Sequence, residues 1–485
     1  MGKENKRITM DGYLTVFLSL TLSVMISLCL VLVLGARENT RCMEVECVTD
    51  IGMNNILAEY HRELMNQYDL FFIDTSYGTE NASYKTTEMH LKDYLERNLS
   101  GEDLFLSFLY HNPVKLKVND VTITNLSVAS DENGAVLRRQ AVEVIYQRVG
   151  ISYLKQIENW MNTVKEYDLN TRDILAECRN ASAALEEWNN ESLSKEAAAD
   201  WKNPGAKVLS LWDAGILSLV VKDYSSLSTQ TADLTTYISS KTTLAGTGMN
   251  PAVTFADGFW EQLIFQEYIL AYTGHYGMEK ENGYLQYQTE YILSGKDTDT
   301  ENLKNVVYQI LSIRAVANVL YLISDEERMQ LTEAAGTALA ALFALPELAP
   351  LFQAVIILAW AMVESISDVA KLLQGGRVPL LKNGKEWYCE IEEALAFEGS
   401  IGQAKQSEGK KEEGLLYEDY LRILLCFQDK VTTTFRLMDI MEMDIRQTKG
   451  NECFRMDGCA DSIGAAIQFG STDGKKYDIF RCYGY

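Results

Sequence analysis

The apolar positions of this chain form one unbroken run followed by a long series of helical periods. Residues 13–36, YLTVFLSLTLSVMISLCLVLVLGA, are 24 consecutive positions without a formal charge. At about 1.5 Å per residue a helix of that length covers roughly 36 Å, enough to cross a hydrocarbon core of about 30 Å. From 53 to 70 the apolar positions Ile56, Leu57, Tyr60, Leu64 and Tyr68 recur at helical spacing and predict a stalk helix continuing the span. The same spacing predicts helices over 86–99, 135–164, 171–199, 255–345 and 415–446.

Strand patterns are few. Residues 114–128, VKLKVNDVTITNLSV, alternate apolar and polar and read as a β-hairpin turning at Asn119-Asp120. Residues 465–469 and 476–482 read as a second hairpin around Ser471-Thr472-Asp473-Gly474. The Ser/Thr/Gly-rich stretch 225–251 reads as a loop, and 399–414, GSIGQAKQSEGKKEEG, as a linker. The expected class is mainly α with small β additions (α+β). The expected organisation is a short cytoplasmic N-terminus (1–12), a transmembrane signal-anchor helix (13–36), a stalk with a helical segment (37–112), a helix-rich ectodomain opening on the first hairpin (113–398), the linker (399–414), and a helix with the terminal hairpin (415–485).

Residues 334–361 form a second very apolar stretch, open to two readings. Pro346, Glu347 and Pro350 split it into pieces too short to span alone, which favours a buried helical hairpin over a second membrane element.

Charges near the first span set its expected orientation. Lys3, Lys6 and Arg7 precede it and Arg37 and Arg41 follow, so the basic excess places the N-terminus in the cytoplasm and the rest outside, as a single-pass membrane protein. A cleaved signal peptide is the competing reading. Its apolar region is usually shorter, and Leu34 is too large for the position two before a cut at Ala36. Ser19, Thr21, Ser23 and Ser27 within the span are read as hydroxyls bonded back to their own helix, with helix–helix packing as the alternative.

Composition changes this picture in two ways. The net charge of −24 argues against nucleic acid, which needs a concentrated basic surface. Of nine cysteines, eight lie outside the span; their even number permits disulfides without assigning them, and Cys178 and Cys426 fall in apolar helical surroundings that suit buried thiols.

Candidate chemistry is sparse, and no catalytic, metal or cofactor residues are assigned. The four histidines, His61, His90, His111 and His275, form no H-x-x-x-H pair, and no G-x-S-x-G elbow is present. Asp297, Asp299 and Glu301 alternate as calcium ligands can, but lack the rest of an EF-hand; Asp299 or Thr300 as a helix cap is the better reading. Glu364 and Asp368 stand one helical turn apart, as carboxylates beside a pocket or as partners of Lys371 or Arg377.

Several stretches together are similar to the domain of unknown function 5702 family of Gram-positive anaerobes: LTVFLSL at 14–20, YDLFFID at 68–74, LQYQTEYILSGKDTDTENLK at 285–304, IRAVANVLYLISD at 313–325, AWAMVESISDVAKLLQGGRVPLLK at 359–382 and LLYEDYLRILL at 415–425. The resemblance implies a membrane-anchored, pseudopilin-like partner of tight-adherence (Flp-type) pilus systems. In such precursors processing follows a glycine, which Gly12 before Tyr13 supplies; the glutamate that major pilins carry five residues on is Phe17 here.

The expected function is therefore non-enzymatic: assembly or display of a surface pilus or secretion apparatus, with the lipid bilayer and other apparatus proteins as partners. The alternative is a membrane-anchored ligand-binding or sensory ectodomain, which a pocket beside Glu364 and Asp368 would favour.

Overall fold

The computed structural model describes residues 4–80, 82–100, 115–192, 203–250, 253, 255–343, 345–384, 386–392 and 413–485. Most of the expected linker at 399–414 lies outside the described residues. The chain begins with one uninterrupted helix, α1 (Glu4–Leu57), of 54 residues. No proline falls within it, so nothing removes a rung of its hydrogen-bond ladder. The apolar span and the first part of the expected stalk are thus one rod. The rest of the stalk is a separate helix, α2 (Arg62–Tyr68), capped by His61, whose Nδ1 accepts the Leu64 N–H at 3.2 Å. That bond leaves the ring hydrogen on Nε2, facing Asn451 Oδ1 at 3.1 Å.

The sheet is built from the two ends of the chain. β1 (Ile73–Asp74) follows α2; α3 (Tyr84–Ser100) then leads towards β2 (Leu116–Val128), and β3 (Cys459–Ser471) and β4 (Lys476–Gly484) close the chain. All pairings are antiparallel and all run through β3, with β2 on one side and β4 and β1 on the other. The terminal hairpin is as expected.

The hairpin expected at 114–128 is instead the single strand β2. Neither Asn119 nor Asp120 takes the positive φ of a tight hairpin turn. The ladder skips Asn119, leaving it as an extra residue, and β2 continues along the whole of β3. A full-length partner far along the chain satisfies more backbone groups than two short strands would satisfy between themselves.

One core lies between this sheet and two helices. Val45, Val48, Met53 and Ile56 of α1 and Leu91, Leu95 and Leu99 of α3 pack on Ile463, Ala465, Ile467 and Phe469 of β3. Gly52 matters here: a Cβ would lie 2.7 Å from Leu95 Cδ2 and 3.3 Å from Leu91 Cδ1, so any other residue would force these buried side chains of α3 to shift.

The larger core belongs to the middle of the chain: α4 (Asp131–Tyr146), α5 (Ile151–Glu166), α6 (Ile174–Ser192), α7 (Pro204–Gly215), α8 (Leu217–Val220), α9 (Phe259–Tyr272), α10 (Gln288–Ser294), α11 (Asp299–Ser324), α12 (Glu326–Leu342), α13 (Ala349–Leu373), α14 (Tyr417–Phe427) and α15 (Lys430–Arg446). Within the first turn of α4 the chain turns left-handed at Glu132, Asn133 and Gly134, and a Cβ on Gly134 would come within 2.6 Å of Thr434. The loop expected at 225–251 is present but pinned: Asp131 accepts the N–H groups of Gly246 and Gly248, Asp439 that of Ser239, and Asp457 that of Leu244.

Among the described residues, three helical stretches are long and apolar enough to cross a membrane: 12–57, 299–324 and 346–373. Burial separates them. The most apolar window of the first is 0% buried, whereas those of the other two are 67% buried within the protein. The stretch 334–361 accordingly forms a helical hairpin, α12 and α13 joined by a single turn at Pro346–Leu348, with α13 packed on α11.

Candidate functional site

The outer half of α1 is a bare apolar cylinder. Every residue from 12 to 37 is exposed, including 14 Leu, Val, Ile and Phe side chains between 13 and 36. The hydroxyls of Ser19 and Thr21 turn inward to the helix: Ser19 donates to the Val16 carbonyl at 2.8 Å and Thr21 to those of Phe17 and Leu18. Gly12 and Tyr13 lie in this exposed part, with nothing packed on either.

The inner half of α1 is fastened to the sheet by a row of polar contacts. Arg41, almost wholly buried, makes a two-pronged bond to Asp473 in the β3–β4 turn, both prongs 2.7 Å. Arg41 holds that carboxyl well below the usual carboxylate range. One turn earlier Glu38 accepts from Lys475 Nζ at 2.8 Å and Tyr477 Oη at 3.0 Å, which lowers its pKa. Further along, Asp50 accepts from Tyr483 Oη at 3.0 Å and Arg481 Nε at 3.3 Å, and Tyr485 Oη donates to the Leu57 carbonyl.

Tyr477, Arg481, Tyr483 and Tyr485 are spaced by even numbers of residues, so the strand's period of two aims them all at one face. The contacts run from residue 38 to 57, roughly 28 Å of helix. The exposed half of α1 is therefore continuous, in one unbroken helix, with the half that is fastened to the sheet.

Glu364 and Asp368 are fully buried on α13 and face charges rather than a pocket. Lys382 Nζ bonds Glu364 Oε1 and lies 2.6 Å from Asp368 Oδ1. Arg314 of α11 donates from Nε to Asp368 Oδ2 at 3.0 Å. The backbone N–H groups of Tyr388 and Cys389 complete Glu364 at 3.1 and 2.9 Å, and Asn318 donates to Asp368 at 3.1 Å. Burial pushes both carboxyls up; it prevails at Glu364, whereas Lys382 and Arg314 hold Asp368 below its ordinary value.

The basic partners expected for these acids, Lys371 and Arg377, are elsewhere: Lys371 Nζ donates to Tyr388 Oη and Arg377 to the Gly414 carbonyl. Two acids and two bases close on one another here, which ties α11, α13 and the 379–389 segment together and offers no free group to a ligand. The sequence signal for this cluster was Arg314, a lone charge in the apolar run IRAVANVLYL.

The cap of α11 is Thr298, whose Oγ1 accepts the Glu301 N–H, and not Asp299 or Thr300. Asp299 is buried and accepts from Ser228 Oγ and the backbone of Gln286 and Tyr287, which anchors the 228–231 loop. Among the described residues no group of three or more His, Cys, Asp or Glu is arranged to hold a metal. Cys178 and Cys426 are buried as thiols, and burial raises the pKa of both.

An open polar hollow of ≈ 430 Å³ lies beyond the end of α1, lined by Glu59, His61, Asp74, Tyr77, Gly78 and Asn451 among others. Glu59 is already occupied: Tyr94 Oη donates to it at 2.6 Å, Tyr77 Oη at 2.9 Å, and His90 Nδ1 lies 3.1 Å away. The hydrogen bond to Glu59 pushes Tyr94 up to about 12.

The interior of the protein holds many buried acids, and burial raises the pKa of Glu267, Glu290, Asp299, Asp439 and, in β3, Asp461. Glu442 is pushed from 4.5 up to about 7 by burial, against its ion pair with Arg446. An acid raised in the folded state keeps its proton where the unfolded chain has released it. Its contribution is full below the unfolded pKa and is lost as pH rises through the folded one. For Glu442 that window runs from 4.5 to about 7 and is worth up to roughly 3 kcal/mol. The lowered acids Asp257, Asp325, Asp368 and Asp429 act oppositely, losing stability as pH falls below about 4. The unfolding temperature of the full chain in detergent is expected to peak between about pH 4 and 4.5 and fall by pH 8; a curve that rises from 5 to 8 contradicts this.

The molecule is thus a helix-rich protein with a small antiparallel sheet, carrying a long apolar helix at its N-terminal end. It belongs to a family of unknown function, DUF5702, whose family model matches residues 194–471. The match takes in α7 to α15 and β3 and lies wholly outside α1. No curated protein and no solved structure matches the chain.

Proposed function

We infer that this is a non-enzymatic, membrane-anchored protein whose domain lies outside the cytoplasm, acting as a structural or assembly component, minor pseudopilin-like, of a tight-adherence-type pilus or secretion apparatus. The observation that carries the reading is α1: one rod, bare and apolar along its outer half and clamped to the sheet along its inner half. Such a rod fixes the domain's orientation to a bilayer and passes lateral force from one to the other, as an assembly component requires. The closed charge cluster around Glu364 and Asp368 supports a structural role for those residues.

Intact mass and N-terminal sequencing of the protein from its native membrane test the reading. A chain beginning at Tyr13 is the expected result and ties it to prepilin-type processing. A chain beginning at Met1 removes the link to pilus assembly and leaves a plain anchored domain. A chain beginning at Arg37 overturns the anchor as well.

A further inference from the structure

The β3–β4 turn stands where α1 leaves its bare half. β4 runs alongside α1 in the same direction: Lys475 and Tyr477 meet Glu38, Arg481 and Tyr483 meet Asp50, and Tyr485 meets Leu57. The turn and the first residues of β4 are therefore level with residues 38–41, roughly 3–8 Å beyond residue 36 along the helix. With 13–36 across the hydrocarbon, that height is the headgroup layer, about 5–7 Å deep on each side of the core.

This end of the sheet is basic, in a chain whose net charge is −24. Lys117 of β2 and Lys476 of β4 both pair with Gly470 of β3, so they stand in one row and on one face. Arg37 lies one helical turn before Arg41 and within about 40° of it, on the side of α1 that meets the turn. All three are exposed, and none has an acidic partner among the described residues. The acids at this level are taken: Arg41 holds Asp473 and Lys475 holds Glu38. The next acids of the sheet, Asp120 and Asp478, stand in the row of Gln468, about 7 Å farther from the turn, and Asp478 accepts from Gln468. On α1 the next acid is Glu44, roughly 12 Å beyond residue 36.

We propose that this basic end binds the phosphate groups of anionic lipids in the leaflet through which α1 leaves the bilayer. The proposal rests on the membrane-anchor reading. Position selects the occupant: a surface held at headgroup height by the helix that crosses the bilayer lies among lipid phosphates. Charge then selects among the lipids, because a zwitterionic headgroup offers no net charge to Arg37, Lys117 and Lys476. The bare half of α1 holds the domain to the membrane, and the basic end sets which lipids gather beneath it.

The test places a photoreactive benzophenone amino acid at the exposed position 472 of the full chain, reconstituted in vesicles of equimolar phosphatidylglycerol and phosphatidylcholine. The lipid adducts are identified by mass spectrometry. Phosphatidylglycerol is expected to exceed phosphatidylcholine roughly fivefold, the factor for about 1 kcal/mol per cation near an anionic surface. The variant R37Q/K117Q/K476Q brings the two lipids to equal yield, and so does about 1 M NaCl with the native chain, where the screening length is about 3 Å. The control R62Q/K241Q/K449Q removes the same charge from exposed residues at the far end of α1 and β3, and keeps the preference.

Absence of lipid adducts, equal yields from the native chain, or the same loss in the control overturns the proposal. Flotation of the vesicles after a carbonate wash reads the anchor separately. A chain that fails to float sinks the anchor reading, whereas a chain that floats without the phosphatidylglycerol preference sinks only the lipid-binding surface.

Discussion

Replacing Lys382 by methionine is expected to destabilise the fold by about 3–5 kcal/mol, the range for breaking a buried ion pair by removing one partner. Lys382 sits between Glu364 and Asp368, and all three side chains are at most 1% exposed. Without its ammonium, two carboxylates are left in the core with only the Arg314 guanidinium, which binds Asp368. One of the acids must then take up a proton or draw in water. Glu364, whose pKa is already raised, is the one expected to be protonated.

The double variant K382M/E364Q removes one charge of each sign and is expected to recover most, though not all, of the loss. The amide would present an N–H where Glu364 now accepts from the backbone of both Tyr388 and Cys389. Urea unfolding followed by tryptophan fluorescence reads this directly, because the Trp387 ring lies 5.4 Å from Lys382 Nζ and 5.5 Å from Trp360. A K382M midpoint equal to that of the native chain would show that the cluster contributes nothing to stability.

The second large effect is on membrane association. The 14 Leu, Val, Ile and Phe residues of the span contribute about 4–8 kcal/mol of favourable insertion free energy at roughly 0.3–0.6 each. A central lysine costs about 3 kcal/mol and forfeits the apolar residue it replaces. The single variant V24K is therefore expected to remain in the membrane fraction, whereas V24K/L28K, at about 6–7 kcal/mol, is expected to appear largely in the soluble fraction. Both side chains are exposed, so the domain has no part in the change. Carbonate extraction and immunoblotting separate the outcomes; a double variant that stays resistant contradicts residues 13–36 as the anchor.

Residue pattern alone was enough for the local elements. The apolar run, the helical periods of α3, α6 and α13, the terminal hairpin and the burial of Cys178 and Cys426 follow from composition and spacing within about 30 residues, the range over which helix and strand periods are written. It also sufficed to read 334–361 as a hairpin, since Pro346, Glu347 and Pro350 interrupt the apolar run where the turn falls.

Tertiary structure decided whatever depends on partners distant in the chain. Residues 114–128 carry a legitimate hairpin pattern, and only the arrival of β3, more than 330 residues later, makes them one strand. Glu364 and Asp368 announced paired carboxylates, but Lys382 and Arg314 rather than Lys371 and Arg377 reach them, because α11 and the 379–389 segment pack against α13 there. The clamp joins Arg41 to Asp473 across 432 positions and left no mark in either neighbourhood. Periodicity tells which face of a helix avoids water; it does not tell what covers that face. Both α1 and α11 are long and apolar enough to cross a membrane, yet one is a bare rod along its outer half and the other lies in a buried core.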